Sequence, residues 1–114
     1  MNIGFIGTGL MGAPMIKNLL KSKHQISIFN RTISKAKKLK KYGAYLSYKI
    51  EELVKDKEII ITMLTDDKAV NDIIRSKTFL NNVCKETTVI DMSSTKPSTA
   101  LDNYKTLKKR EFIF

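Results

Sequence analysis

Asn2-Ile3-Gly4-Phe5-Ile6 runs directly into Gly7-Thr8-Gly9-Leu10-Met11-Gly12, and this junction decides the architecture. The first five residues are a short β-type run. From Leu10 to Leu20 the apolar residues Leu10, Ala13, Met15, Ile16, Leu19 and Leu20 recur near a 3.6 period, which predicts a helix. Pro14 is tolerated only close to a helix start, so the helix begins around Leu10 or Met11. A G-x-G-x-x-G pattern between a strand and a helix is the arrangement that holds a diphosphate. Gly7 allows the tight turn, Gly9 lets a pyrophosphate lie against bare backbone, and Gly12 lets the helix pack close to the sheet. Free N–H groups and the positive end of the helix dipole, around Thr8 to Gly12, then face the anion.

Outward from this junction, short apolar runs alternate with longer mixed segments. Strands are predicted at Gln25–Phe29, Ala44–Leu46, Glu58–Thr62 and Thr87–Ile90, and a sixth begins at Glu111–Phe114. Helices are predicted at Thr32–Lys41, Ile50–Val54, Asp66–Arg75 and Ser98–Lys109. Thr32 or Ser34 would cap the first of these, Gly43 would stop it, and Asp66 or Asp67 would cap the third. Glu58-Ile59-Ile60-Ile61-Thr62 is β-branched almost throughout, as in a strand buried on both faces. Strands alternating with helices define an α/β class: a doubly wound parallel sheet of the dinucleotide-binding Rossmann type.

Composition excludes other classes. The chain has 114 residues, 42% apolar and 28% charged, which suits one soluble domain with a buried core. A single cysteine, Cys84, forms no internal disulfide, and one cysteine with one histidine cannot build a tetrahedral zinc site, so no metal is expected. No apolar stretch approaches the ~18 residues of a membrane span, and the N-terminus lacks the basic region of a signal peptide. A cytoplasmic-type compartment is expected. The net charge of +10 comes mostly from lysine, 18 Lys against 3 Arg, spread along the chain. Base-edge and phosphate recognition favours arginine's fork, so a solvated lysine-rich surface is the better reading and nucleic acid the weaker one.

The cofactor's second contact is expected at the end of the second strand, where NAD-binding units carry Asp or Glu for the ribose 2′-hydroxyl. Here, 18 residues after Gly12, stands Asn30-Arg31-Thr32. No carboxylate repels a 2′-phosphate. Arg31 can stack on adenine and pair with the phosphate, while Asn30 and Thr32 can donate hydrogen bonds. This predicts NADP, with NAD possible.

Residues 3–15, read with Asn18-Leu19, resemble the signature of the β-hydroxyacid dehydrogenases, which include 3-hydroxyisobutyrate dehydrogenase, tartronate semialdehyde reductase and the glyoxylate/succinic semialdehyde reductases. Met11, Pro14, Met15 and Asn18 match beyond the glycines, and Asn30-Arg31-Thr32 is common in that family. Ile60-Ile61-Thr62-Met63-Leu64 resembles its fourth-strand motif, which implies cofactor contacts from Met63 and Leu64; Thr65 stands where the family usually has proline. Asp91-Met92-Ser93-Ser94-Thr95-Lys96-Pro97 resembles the family's D-x-S-T-x-x-P. That match implies that Ser93 helps hold the substrate carboxylate and that Ser94 contacts the cofactor. On the residues alone, Ser93 to Thr95 could equally cap the next helix. The related 6-phosphogluconate dehydrogenases carry Asp-Gly-Gly-Asn at this block, so its absence favours a small hydroxyacid or semialdehyde over a sugar phosphate.

The resemblance implies an NADP-dependent oxidoreductase of the 3-hydroxyisobutyrate dehydrogenase type. The family's catalytic lysine lies in a G-x-G-x-x-x-K-x-x-x-N segment. Gly43 is the last glycine of this chain, so no such segment fits and no catalytic residue is assigned, Lys96 included. Residues 1–114 are therefore expected to be an incomplete nucleotide-binding domain, cut near its sixth strand and without the family's helical C-terminal domain. Apolar surface left uncovered would favour self-association. A non-catalytic NADP-binding module and a truncated relic are the alternatives.

Overall fold

The computed structural model describes residues 1–7, 9–31, 33–64, 67–92, 101 and 105, with backbone alone at 9–12, 35 and 67. β1 (Asn2–Ile6) is the middle strand of a five-stranded parallel sheet. On one side it pairs with β2 (Gln25–Phe29), which pairs with β3 (Tyr45–Leu46). On the other it pairs with β4 (Ile59–Thr62), which pairs with β5 (Thr88–Asp91). The order is β3-β2-β1-β4-β5. The chain winds outward from β1 in one direction and then returns to wind in the other, so β1 and β4 flank the switch point where such sheets take their ligands.

Alternation along β1 divides the core into two layers. Ile3 and Phe5 point to one face. There they pack with Ile26, Ile28 and Ile61 against Ile16 of α1 (Gly9–Lys21) and against Ala36 and Leu39 of α2 (Ile33–Lys40). Ile6 points to the other face with Ile60 and Val89. It packs there against Leu53 and Val54 of α3 (Ile50–Val54), Val70 and Ile74 of α4 (Asp67–Ile74), and Phe79 of α5 (Lys77–Asn82). Gly4 lies on this second face, where a Cβ would meet the Leu53 side chain at 3.0 Å; glycine lets α3 lie close on the sheet.

Among the described residues, the elements expected from β1 to β5 form within a residue or two of their predicted ends, with one addition. α5 is absent from the sequence reading. Ser76 starts it, its Oγ accepting a hydrogen bond from the Phe79 N–H at 3.1 Å, and Phe79 is its fully buried anchor. Gly43 ends the α2 segment as expected, with φ at +103° and its N–H donating to the Lys40 carbonyl. Ser34 lies inside α2 and does not cap it, because the helix already begins at Ile33. Asp67 is the first residue of α4 itself, while the cap candidates Thr32 and Asp66 lie outside the described residues, as does the predicted sixth strand at 111–114; of the helix predicted at 98–109, Leu101 and Lys105 are described and are helical. No helix among the described residues is long and apolar enough to cross a membrane.

Lysines cluster where the chain leaves α1 and α2. The Lys17 ammonium sits 4.5 Å from the Tyr42 ring centroid and that of Lys41 at 5.2 Å. Hydrogen bonding and charge from Lys17, then the charge of Lys41, hold the exposed Tyr42 phenol below its usual pKa of 10.0. In Lys17→Gln the Tyr42 phenol is expected to titrate at higher pH, read from tyrosinate absorbance; an unchanged titration would exclude the contact in solution. Because the folded phenol ionises at lower pH than the unfolded one, this coupling adds stability in alkaline solution, and that stability is lost as the pH falls through the folded chain's titration.

Candidate dinucleotide-binding site

A parallel sheet places all its strand ends on one edge, and hydrogen bonds continue across that edge beyond the strands themselves. The Gly7 N–H donates to the Phe29 carbonyl at 2.8 Å, the Met63 N–H to the Ile6 carbonyl at 2.8 Å, and the Met92 N–H to the Thr62 carbonyl at 2.9 Å. The loops after β1, β2, β4 and β5 therefore depart from one continuous rim. In the sequence, these strands are followed by the residues singled out above: Gly7 to Gly12 after β1, Asn30 to Thr32 after β2, Met63 and Leu64 after β4, and Ser93 and Ser94 after β5.

Gly7 is a tight point of the rim. Its φ is +83°, a left-handed conformation that costs residues with a Cβ about 1–2 kcal/mol. A Cβ on Gly7 would also run into the Met63 carbonyl oxygen and come within 2.8 Å of Leu64 Cδ2. The sequence reading gave Gly7 a turning role. The structure adds a second reason for glycine: the first loop and the end of β4 touch at this residue.

α1 begins at Gly9, two residues past this turn. The N–H groups of its first turn lack intrahelical partners, and no acidic residue stands in that turn to compete for an anion. These features fit the diphosphate of a dinucleotide. At the end of β2, Asn30 is half-buried and Arg31 exposed; Met63 and Leu64 are half-buried after β4, with Leu64 packed against the α3–α5 core. Thr8, Thr32, Ser93 and Ser94 lie outside the described residues, and Gly9 to Gly12 are described as helical backbone.

Two residues on the rim escaped the sequence reading as a pair. Thr62, fully buried at the end of β4, donates from Oγ1 to Asp91 Oδ1 at 2.9 Å, and the two are register partners across β4 and β5. The signal was a hydroxyl ending an otherwise apolar run, opposite an acid ending the next. An open depression of about 240 Å³, lined by Lys17, Leu20, Lys21 and Tyr42, lies at the other end of α1, away from the rim.

Fold and rim together define a dinucleotide-binding domain of the Rossmann class. Residues 2–114 match the family described as the NAD binding domain of 6-phosphogluconate dehydrogenase, and the chain belongs to that family. Glyoxylate/succinic semialdehyde reductase 1 of Arabidopsis thaliana is 35% identical over 102 residues, which is 89% of this chain and 35% of that protein. The mitochondrial 3-hydroxyisobutyrate dehydrogenase of Drosophila melanogaster is 36% identical over 109 residues, covering 96% of this chain and 32% of that protein. In fold, an imine reductase from Myxococcus stipitatus in complex with NADP+ superposes with a TM-score of 0.92 at 24% identity, over 99% of this chain and 39% of the other. The chain spans about a third of the length of the curated relatives it matches.

Proposed function

We propose that this chain binds NADP in preference to NAD and forms the nucleotide-binding domain of an oxidoreductase of the 3-hydroxyisobutyrate dehydrogenase type. The observation that carries this reading is the glycine turn into α1 at the switch point of the sheet, with Arg31 at the neighbouring strand end in place of a carboxylate. The two curated relatives, by their names a semialdehyde reductase and a hydroxyacid dehydrogenase, support a small hydroxyacid or semialdehyde as substrate. When bound, the nicotinamide supplies the hydride exchange.

The chain's own residues bind and orient. In this reading, backbone N–H groups from Thr8 to Gly12 receive the diphosphate, and Asn30, Arg31 and Thr32 receive the 2′-phosphate end. Met63, Leu64 and Ser94 flank the nicotinamide end, while Ser93 donates to the substrate carboxylate. No lysine of this chain is assigned the proton transfer to the substrate oxygen, so residues 1–114 alone are expected to bind nucleotide without turning over substrate.

The test is a calorimetric titration of the chain and of Arg31→Asp with NADPH and with NADH. A charge-assisted contact to phosphate is worth about 1.5–3 kcal/mol, so Arg31→Asp is expected to weaken NADPH by about 10- to 100-fold while NADH stays within about 2-fold. Equal loss of both ligands would overturn the 2′-phosphate assignment. Failure of the unsubstituted chain to bind either would overturn the nucleotide reading.

A further inference from the structure

We infer that Thr62 and Asp91 are positioning residues that set the nicotinamide end of the site. The inference rests on the dinucleotide reading above and deepens it.

Thr62 has no exposed surface, so its hydroxyl must find an acceptor inside the protein. It finds the half-buried Asp91 carboxylate at 2.9 Å, a hydrogen bond strengthened by the acceptor's charge. The same two strand ends are joined a second time where the Met92 N–H donates to the Thr62 carbonyl at 2.9 Å. One side-chain and one backbone bond thus fix the residue that leads into Met63-Leu64 against the residue that leads into Ser93-Ser94.

The location decides which half of a dinucleotide feels the pair. Gly7 to Gly12 and Asn30 to Thr32 leave from β1 and β2, whereas Thr62 and Asp91 end β4 and β5, across the switch point. The adenosine half is assigned to the first pair of strands and the nicotinamide half to the second. The Thr62–Asp91 bond joins β4 to β5 alone, so it holds the nicotinamide-side loops in register and its loss falls first on them. A hydroxyl ending a strand of Ile59-Ile60-Ile61 is not required for packing, since valine has the same shape and suits a buried strand better.

The experiment compares the full chain with Thr62→Val, Thr62→Ser and Asp91→Ala. Each is titrated calorimetrically with NADPH and with 2′-phospho-ADP-ribose, the same molecule lacking nicotinamide. Thr62→Val and Asp91→Ala are expected to weaken NADPH about 10-fold while the fragment changes by less than about 2-fold, and Thr62→Ser to keep both affinities. A general structural role would weaken both ligands together. Parallel losses, an unchanged NADPH affinity in Thr62→Val, or a Thr62→Ser as impaired as Thr62→Val would each overturn the inference. If Asp91→Ala fails to fold, the two Thr62 variants decide the matter alone. If the unsubstituted chain binds neither ligand, the nucleotide reading itself falls, and this one with it.

Discussion

Gly7→Ala is expected to abolish measurable NADPH binding and to lower the melting temperature of the chain by about 10 °C or more. Two independent costs coincide at this residue. The φ of +83° places an L-residue in the left-handed region, which costs about 1–3 kcal/mol when the surrounding structure enforces it. The new Cβ must also displace the Met63 carbonyl oxygen, a backbone atom, together with Leu64 Cδ2. Met63 cannot retreat freely, because its N–H is bonded to the Ile6 carbonyl, one residue before Gly7. Relief requires the ends of β1 and β4 to part, and that is where the loops of the proposed site leave the sheet. Overpacking of this kind typically costs about 1–3 kcal/mol more, against a total stability of about 5–15 kcal/mol for a domain. Differential scanning fluorimetry and NADPH titration check the two effects together. A Gly7→Ala chain with unchanged melting temperature and affinity would show that the turn is looser than this geometry requires.

Most of the fold was legible because its signals are local. The β-branched run at Glu58–Thr62, the helical period from Leu10 to Leu20 and the glycine turn between strand and helix each lie within a window of a dozen residues. Alternation of these elements then allows few topologies. The rim of the site was legible for a related reason: parallel strands bring their ends together whatever their spacing in sequence. The pairings across the rim were not legible. That Gly7 approaches Met63, or that Thr62 meets Asp91, depends on the register β1–β4 and β4–β5, and register is set by packing of side chains far apart in the chain. Asn30-Arg31-Thr32 was legible as chemistry, because the absence of a carboxylate at the end of β2 can be read from residue identities alone.

α5 shows what a local reading misses, and it sets the other large effect: Phe79→Ala is expected to destabilise the chain by about 3–5 kcal/mol. The segment Lys77–Asn82 has six residues, too short for a helical period to stand out, and its composition is polar at both ends. It forms because tertiary burial overrides weak local preference. Phe79 is wholly buried in the cluster that holds Leu53, Val54, Ile74 and Val89, and it is the only fully buried side chain of α5, with Leu80 and Val83 packed beside it. Removing the Phe79 ring leaves a cavity that the surroundings close only in part, and the melting temperature should fall by about 15 °C. Phe79→Leu keeps most of the volume and should lose much less. Ser76→Ala removes only the helix cap and should cost about 1 kcal/mol. Phe79 belongs to a helix that precedes β5, and it is not one of the residues proposed to touch the nucleotide. Well below its melting temperature, the Phe79→Ala chain should therefore bind NADPH with the affinity of the unsubstituted chain, whereas Gly7→Ala loses binding and stability together. Titration and melting of the two variants side by side separate the core that holds the sheet from the rim that does the binding. A Phe79→Ala chain that melts within a few degrees of the unsubstituted one would show that α5 is not anchored by this ring.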